Sequence, residues 1–445
     1  MQVRVLPVAF GGVDWTSRAK LGLEPRPRPA DLARQRLAEL EPAINGVAWA
    51  ELVEVDEPEQ IGALVEAARQ ADLVLALASE LLVVKTAARA LAAVSAPVAL
   101  MGDENRPRPV FADVYGSLTA DGCDATLTLD AAELQRLVDA LRAQAMLARA
   151  RVLLIGDGYP SHSQVANPDS PRVVEAALGT QIVQRSVAEL RAAWEAADED
   201  EARAQAQAWL EGAREVHESA RRDIVRCAEM YLALAAMLEE TRADALSIDC
   251  RAWDLISCEE FGAFYSPCMG LTTLRWQGVP AACEADLCAA LSMCLLNWLT
   301  GLPAFLGNIG GIFPERGSVQ IGGHAACTVN MAGDGKALEG YVLRDYGGRG
   351  GVASYLPIEA GRPVTIARFD KHLRRLSAAA GQTVATQQGF EVAIGDVADF
   401  MHRCLTGDHY VIVSGHHLDS VRLVAGRLGV EVLSPRPARA GGPGA

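Results

Sequence analysis

Short apolar runs alternate with amphipathic stretches over the first 118 or so residues, and this constrains the chain more than any other feature. "VRVLPVAF" is followed by a helical pattern near 31–41, "AWAELVEV" by one near 57–71 and "ADLVLALA" by one near 82–94, before "APVALMGD". A strand that is apolar throughout must be covered on both faces. Helices between successive strands do that, so the pattern predicts βαβ units on a parallel sheet. A second series begins at "ARVLLIGDGYPSH" and continues through a helix near 171–178 and a short run around "TQIVQRSV". An Ala/Glu/Arg-rich stretch from about 187 to 241 then reads as two or three helices, followed by a strand at "ADALSID" and a helix over 284–300.

After Gly310 and Gly311 the texture changes. "GSVQIGGHAACTVNM", "EGYVLRDYGG", "GVASYLPI" and "RPVTIARFD" are short, glycine-punctuated and β-rich, before a strand "HYVIVSG" and a helix "LDSVRLVAGRLG". These predict an antiparallel sheet or small barrel. The expected fold class is therefore α/β, with two Rossmann-like parallel-sheet layers followed by a C-terminal antiparallel, barrel-like β domain. Because 445 residues exceed one ordinary core, the expected divisions are an N-terminal α/β domain at 1–149, a second α/β domain at 150–312 carrying Glu284, and a β-rich domain at 313–435. Residues 436–445 close the chain as a disordered tail, with nothing apolar to pack.

Half the residues are apolar and 22% are charged, a globular balance. A formal net charge of -15 without a basic stripe argues against a nucleic-acid partner. Nothing approaches the roughly 18–20 consecutive apolar residues that span a bilayer, so no membrane partner is expected. The start "MQVRVLPVAFGG" lacks the basic and apolar regions of an export signal. The expectation is a cytoplasmic protein whose ten cysteines are thiols. No CxxC pair suggests a zinc ribbon. "GDGYPS" lacks the third glycine of a dinucleotide loop, and neither a P-loop nor a GxSxG elbow occurs. His416 and His417, adjacent in "VSGHHLDSV", point to different sides and read as a polar turn rather than a metal pair.

The segment "VPAACEADLCAALSMCLLNWLTG", residues 279–301, puts two carboxylates at the head of an apolar helix. Leu287, Leu291, Cys294 and Trp298 recur at helical spacing and predict one buried face. Glu284 falls at the N-terminal end, where the dipole favours a negative group, and Asp286 reads as a first-turn acid. "GLPAFLGNIGG" predicts a strand ending in a glycine-rich loop that holds Asn308. "IGGHAACTVN" puts His324 in the β domain, and "TGDHYVIVSG" puts His409 at a strand entrance. An acid, an amide and two imidazoles at the ends of regular elements are candidate ligands for a divalent ion.

In this order, "SPCMGLTTLRWQGVPAACEADLCAALSMCLL", "GLPAFLGN", "GSVQIGGHAAC", "RPVTIARFD" and "GDHYVIVSGHHLDSVRLVAGRLGVEV" resemble the L-fucose isomerase and L-arabinose isomerase superfamily, specifically its fucose isomerase-like proteins. The resemblance is clearest over residues 244–433; residues 1–150 share only the α/β texture. It implies a manganese-dependent enzyme in which Glu284 is metal ligand and candidate base, and in which His324 and His409 ligate the ion or orient the substrate. It implies aldose–ketose isomerisation of a free sugar or sugar acid through a cis-enediolate, one carboxylate carrying a proton between neighbouring carbons. A homo-oligomer is also implied. The family carries a second carboxylate where this chain has Asn308, whose amide brings neither charge nor a proton carrier. Other enediolate chemistry, or a catalytically silent sugar-binding protein, therefore stays open as the alternative. Glu315 in "FPERG" is the alternative second acid, and Arg251, Trp253, Arg275 and Trp276 are candidate substrate-reading residues.

Overall fold

The structure is a computed structural model and describes residues 1–11, 28–77, 84–102, 112–156, 166–322, 340–345, 350–356, 358–384 and 390–436. The chain divides into two compact units, residues 1–142 and 143–445.

In the first unit Val3–Phe10 (β1), Val47–Trp49 (β2), Val53–Val55 (β3), Leu73–Leu77 (β4), Val98–Met101 (β5) and Ala125–Thr128 (β6) form one parallel sheet in the order β2-β1-β4-β5-β6. The stretch "AWAELVEV" makes two strands rather than one, because β1 is long enough to pair β2 over residues 3–5 and β3 over residues 8–10. Every residue of β4 and β5 is buried. Leu64, Leu91, Val114 and Leu118 from the connecting helices close over Leu6, Val8 and Phe10. That two-sided cover is the reason these strands read as unbroken apolar runs.

The second unit opens with another parallel sheet. Arg151–Ile155 (β7), Gln181–Arg185 (β8), Ala245–Ile248 (β10) and Ala281–Cys283 (β11) lie in the order β8-β7-β10-β11. The Ala/Glu/Arg-rich stretch makes three helices, of which the last is α1 (Glu218–Thr241), but it also holds a strand, β9 (Ala213–Val216). Strong helix formers yield there because tertiary pairing outweighs propensity. β9 pairs in parallel with β14 (Tyr341–Arg344), and Gly212 leaves room for the Tyr341 hydroxyl, which donates to the Trp209 carbonyl at 2.8 Å.

Phe305–Phe313 (β12), Ser318–Gly322 (β13), Pro363–Phe369 (β16), Arg375–Val384 (β17), Phe390–Ala393 (β18) and His409–Ser414 (β19) form the β portion. Their order, β16-β19-β12-β13-β18-β17, closes on itself because β16 also pairs β17, and Glu431–Leu433 (β20) adds in parallel to β17. The fold is thus mixed α/β with a closed, largely antiparallel barrel. β12 runs straight through Gly310 and Gly311, where a loop was expected, with a bulge between Ile309 and Gly311.

Three further helices complete the part of the fold that matters for the site: α2 (Cys250–Phe261), α3 (Cys268–Trp276) and α4 (Leu287–Thr300). The expected one-sided burial of α4 does not hold, because only Trp298 and Thr300 escape full burial. One side of α4 packs on β10 and β11 and another on β16 and β19. A shared central helix is why residues 143–445 cohere as one unit, although separate domains were expected on either side of 312/313. Arg436, expected in the disordered tail, is held by Asp399, which accepts from its backbone N–H at 2.9 Å and its guanidinium at 2.7 Å. Residues 437–445 lie outside the described residues.

Candidate functional site

β10 and β11 are parallel neighbours, with Ile248 opposite Cys283. Each runs into a helix, so two strand–turn–helix junctions stand side by side at the carboxyl edge of the sheet, where α/β folds place their ligands. At the first, Asp249 caps α2 by accepting from the Ala252 N–H at 3.3 Å, and Arg251 follows. At the second, Glu284 and Ala285 both turn left-handed, at φ 56° and 50°, before Asp286 caps α4. Glu284 was expected on the first turn of the helix. It stands instead in the turn before it, since α4 begins only at Leu287.

Left-handed backbone at two successive non-glycine residues costs energy and persists only where the surroundings enforce it. Asn167 does so here. Its side-chain Nδ2 donates to the Ala285 carbonyl at 2.9 Å, and its Oδ1 accepts from the Leu287 N–H at 2.9 Å. The Ala285 N–H donates to the Ile248 carbonyl at 2.9 Å, tying the turn to β10.

Asp286 is the electrostatic centre of the arrangement. One carboxylate oxygen accepts from the Ala289 N–H at 2.8 Å; the other accepts from Arg368 Nη1 at 2.8 Å and from His409 Nδ1 at 2.8 Å. Burial opposes its ionisation, but Arg368 and His409 outweigh burial and hold the carboxyl well below the usual range. An ionised carboxylate only accepts, so His409 carries its proton on Nδ1 and turns Nε2 towards Glu284 Oε2, 3.7 Å away. Arg368 is fully buried, and besides Asp286 it donates to the carbonyls of His409 at 3.2 Å and Ala166 at 3.1 Å. Gly407 lies against its guanidinium, where a Cβ would stand 2.8 Å from Cζ.

The structure therefore brings Glu284 and His409 together. Asn308 is opposite His409 in the β12–β19 register, on the same face of the pair. Its amide donates to the Asp408 carboxylate at 3.1 Å. His324 lies outside the described residues. Glu315 sits in an exposed turn beside Arg316, as a solvated acid. Of the four substrate-reading candidates only Arg251 reaches the site, donating to Glu284 at 3.3 Å. Trp253 is buried, donating to the Tyr265 carbonyl, and Arg275 is buried, donating to the Ala281 carbonyl. Trp276 packs against Tyr341, with ring centroids 5.3 Å apart and the rings tilted by 45°. His416 and His417 bond backbone carbonyls of Gly381 and Ser414 in the turn before the last helix. Cys283 is next to Glu284; the Cys250 thiol beside it and burial push its ionisation well up, which disfavours the thiolate. Of "GDGYPS", only Gly156 is described.

The donor chemistry fits a divalent ion. Two protein donors each about 2.1 Å from one ion stand up to about 4.2 Å apart, and Glu284 and His409 meet that bound at 3.7 Å. A carboxylate behind a ligating imidazole is the usual support for such a ligand, and Asp286 occupies that position. Among the described residues, however, no group of three His, Cys, Asp or Glu side chains gathers to hold a metal. A third protein donor has to come from Asn308 or from outside that set.

Sequence reasoning gave Asp286 only the helix-starting role that it does fill, missing its pairing with Arg368 and His409, and it missed Arg368 and Asn167. A signal existed for Arg368, a charged residue inside the apolar strand "VTIARF", where a cation is buried only with a partner. No family model matches the chain, and no curated protein matches it significantly. Among the described residues no helix is long and apolar enough to cross a membrane.

Proposed function

We propose that this chain is a metal-dependent aldose–ketose isomerase-like enzyme acting on a free sugar or sugar acid through a cis-enediolate. The observation that carries the reading is the approach of Glu284 and His409 to 3.7 Å, with Asp286 behind the imidazole. Glu284, His409 and the amide oxygen of Asn308 would hold the ion, manganese by the family resemblance, which would supply Lewis acidity towards the sugar's carbonyl and adjacent hydroxyl oxygens. The remaining work falls to the chain's own groups. Glu284 is the proton carrier between neighbouring carbons, with its side chain 11% exposed. Asp286 and Arg368 neutralise one another and fix the imidazole tautomer, while Arg251 balances Glu284 from outside. The same proposal includes a cytoplasmic homo-oligomer, in keeping with the resemblance.

The engagement of Asn308 with Asp408 favours a second reading, in which one proton carrier is missing and the pocket runs different enediolate chemistry or only binds sugar. Electron paramagnetic resonance titration with Mn²⁺, followed by a screen of pentoses, deoxyhexoses and hexuronates, separates the two. Uptake of the ion that is lost in Glu284→Gln and His409→Asn, together with aldose-to-ketose conversion, is the expected result. No uptake by the wild type sinks the metal-dependent reading. Uptake without conversion selects the second.

A further inference from the structure

β10 and β11 end side by side, with Ile248 opposite Cys283. Neighbouring strands stand about 4.8 Å apart, and the Ala285 N–H donates to the Ile248 carbonyl at 2.9 Å, so the two chains stay together beyond the last ladder position. Each chain carries a cysteine there. Cys283 is the last residue of β11, and Cys250, after Asp249 turns the chain, is the first residue of α2. Their thiols are in hydrogen-bonding contact. Other buried cysteines sit differently. Burial is what most holds Cys227, Cys288 and Cys294 as thiols, whereas for Cys283 the Cys250 side chain counts for more than burial.

The two sulfurs also differ in exposure. Cys250 is partly open to solvent, while Cys283 is 5% exposed. That is the arrangement of an oxidisable pair, in which an accessible cysteine meets the oxidant and a shielded neighbour closes on it before oxidation goes further. A disulfide needs Cα atoms about 4.4–6.8 Å apart, a range that includes the spacing of adjoining strands. The product carries no charge and no unsatisfied donor, which suits the buried end of β11. Cys268, the first residue of α3, is the next thiol to Cys250, but the Ser266 hydroxyl engages its sulfur. Arg251 and Glu284 each follow one cysteine of the pair directly in the chain.

We propose that Cys250 and Cys283 are a redox modification site: hydrogen peroxide closes them into a disulfide that thiol reductants reopen, and the bond links the two junctions that carry Arg251 and Glu284. In the first step the Cys250 sulfur attacks the peroxide O–O bond, giving a sulfenic acid and one water. In the second the Cys283 sulfur displaces the sulfenic hydroxyl, and a second water leaves. Two thiols thus give up two electrons and two protons, and the peroxide is reduced to two waters. The test treats the full chain with hydrogen peroxide, quenches with catalase, counts thiols after denaturation and maps the peptides by mass spectrometry. Wild type is expected to yield a linked Cys250–Cys283 peptide and to lose two more thiols than C250S does, and dithiothreitol should restore both. C283S is expected to stop at a Cys250 sulfenic acid, which dimedone traps. No linked peptide in wild type, a bond from Cys250 to Cys268 in its place, or a thiol loss in C250S equal to that of wild type overturns the proposal. Circular dichroism checks that both variants fold, and the wild-type peptide map decides the matter without them.

Discussion

Asp286→Asn isolates the buried charge at the centre of the site. Asparagine keeps the shape and ranks with aspartate as a helix cap, so α4 retains its start. What disappears is the counter-charge of Arg368, whose side chain, like that of Asp286, is 0% exposed, leaving the guanidinium with only the carbonyls of His409 and Ala166. Removing one partner from a buried pair costs about 3–5 kcal/mol, against a net stability of about 5–15 kcal/mol for a folded domain. With a urea slope of about 2–3 kcal/mol per molar, the midpoint of the second unit should fall by about 1–2.5 M. Tryptophan fluorescence reports mainly on that unit, since five of the seven tryptophans, Trp194, Trp209, Trp253, Trp276 and Trp298, lie within 143–445. Asp286→Asn combined with Arg368→Met should recover much of the loss, because no buried charge is then left without a partner. The pH dependence has a definite sign. The folded carboxyl is held below its usual range, so its stabilisation is complete above the unfolded value of about 3.9 and is lost as pH falls below it. The gap between wild type and Asp286→Asn should therefore be flat from neutral pH to about pH 5 and shrink below about pH 4. A midpoint within about 0.2 M of wild type, or a gap that widens on acidification, refutes the reasoning.

Gly407→Ala should lose about 1–3 kcal/mol in the same assay, because its Cβ presses on the Arg368 guanidinium. Gly426→Ala, with nothing within 4 Å on an exposed helix face, should instead gain up to about 1 kcal/mol. Ala285→Gly should stay within about 0.5 kcal/mol of wild type, since relief of the left-handed φ offsets the added chain entropy; a clear loss would show that the turn is not strained. Asn308→Asp puts a second carboxylate beside Asp408, where the amide now donates at 3.1 Å. It should tighten Mn²⁺ binding, yet without the ion lose stability as pH rises through the carboxyl pKa that the like charges raise. Adding Asp408→Asn should remove that pH-dependent loss.

How much of this was legible depends on the range of the interactions involved. β4 and β5 announce themselves because strands covered on both faces must be apolar at every position, and β7 does so from Val152 on. The same burial erased the signal in α4: with sheets on two sides it has no polar face, and its helical period says nothing of where it starts. The start was misplaced by one turn for a local reason. Glu284 and Ala285 adopt a conformation that neither residue favours, and Asn167, more than a hundred residues earlier, holds them there. β9 was hidden for a similar reason, its parallel partner lying beyond residue 340.

By itself, the sequence determined the alternation of strands and helices, the change to short glycine-punctuated strands after Gly311, and the presence of a glutamate and a histidine at the ends of regular elements. Each of these is written in neighbouring residues through burial and backbone preference. Closure of the barrel through β16 and β17, the use of α4 as a common core helix and the pairing of Asp286 with both Arg368 and His409 were decided only in the tertiary structure. A buried charge is stable only beside its partner, and residues 286, 368 and 409 become partners only once a parallel sheet and a barrel pack against the same helix.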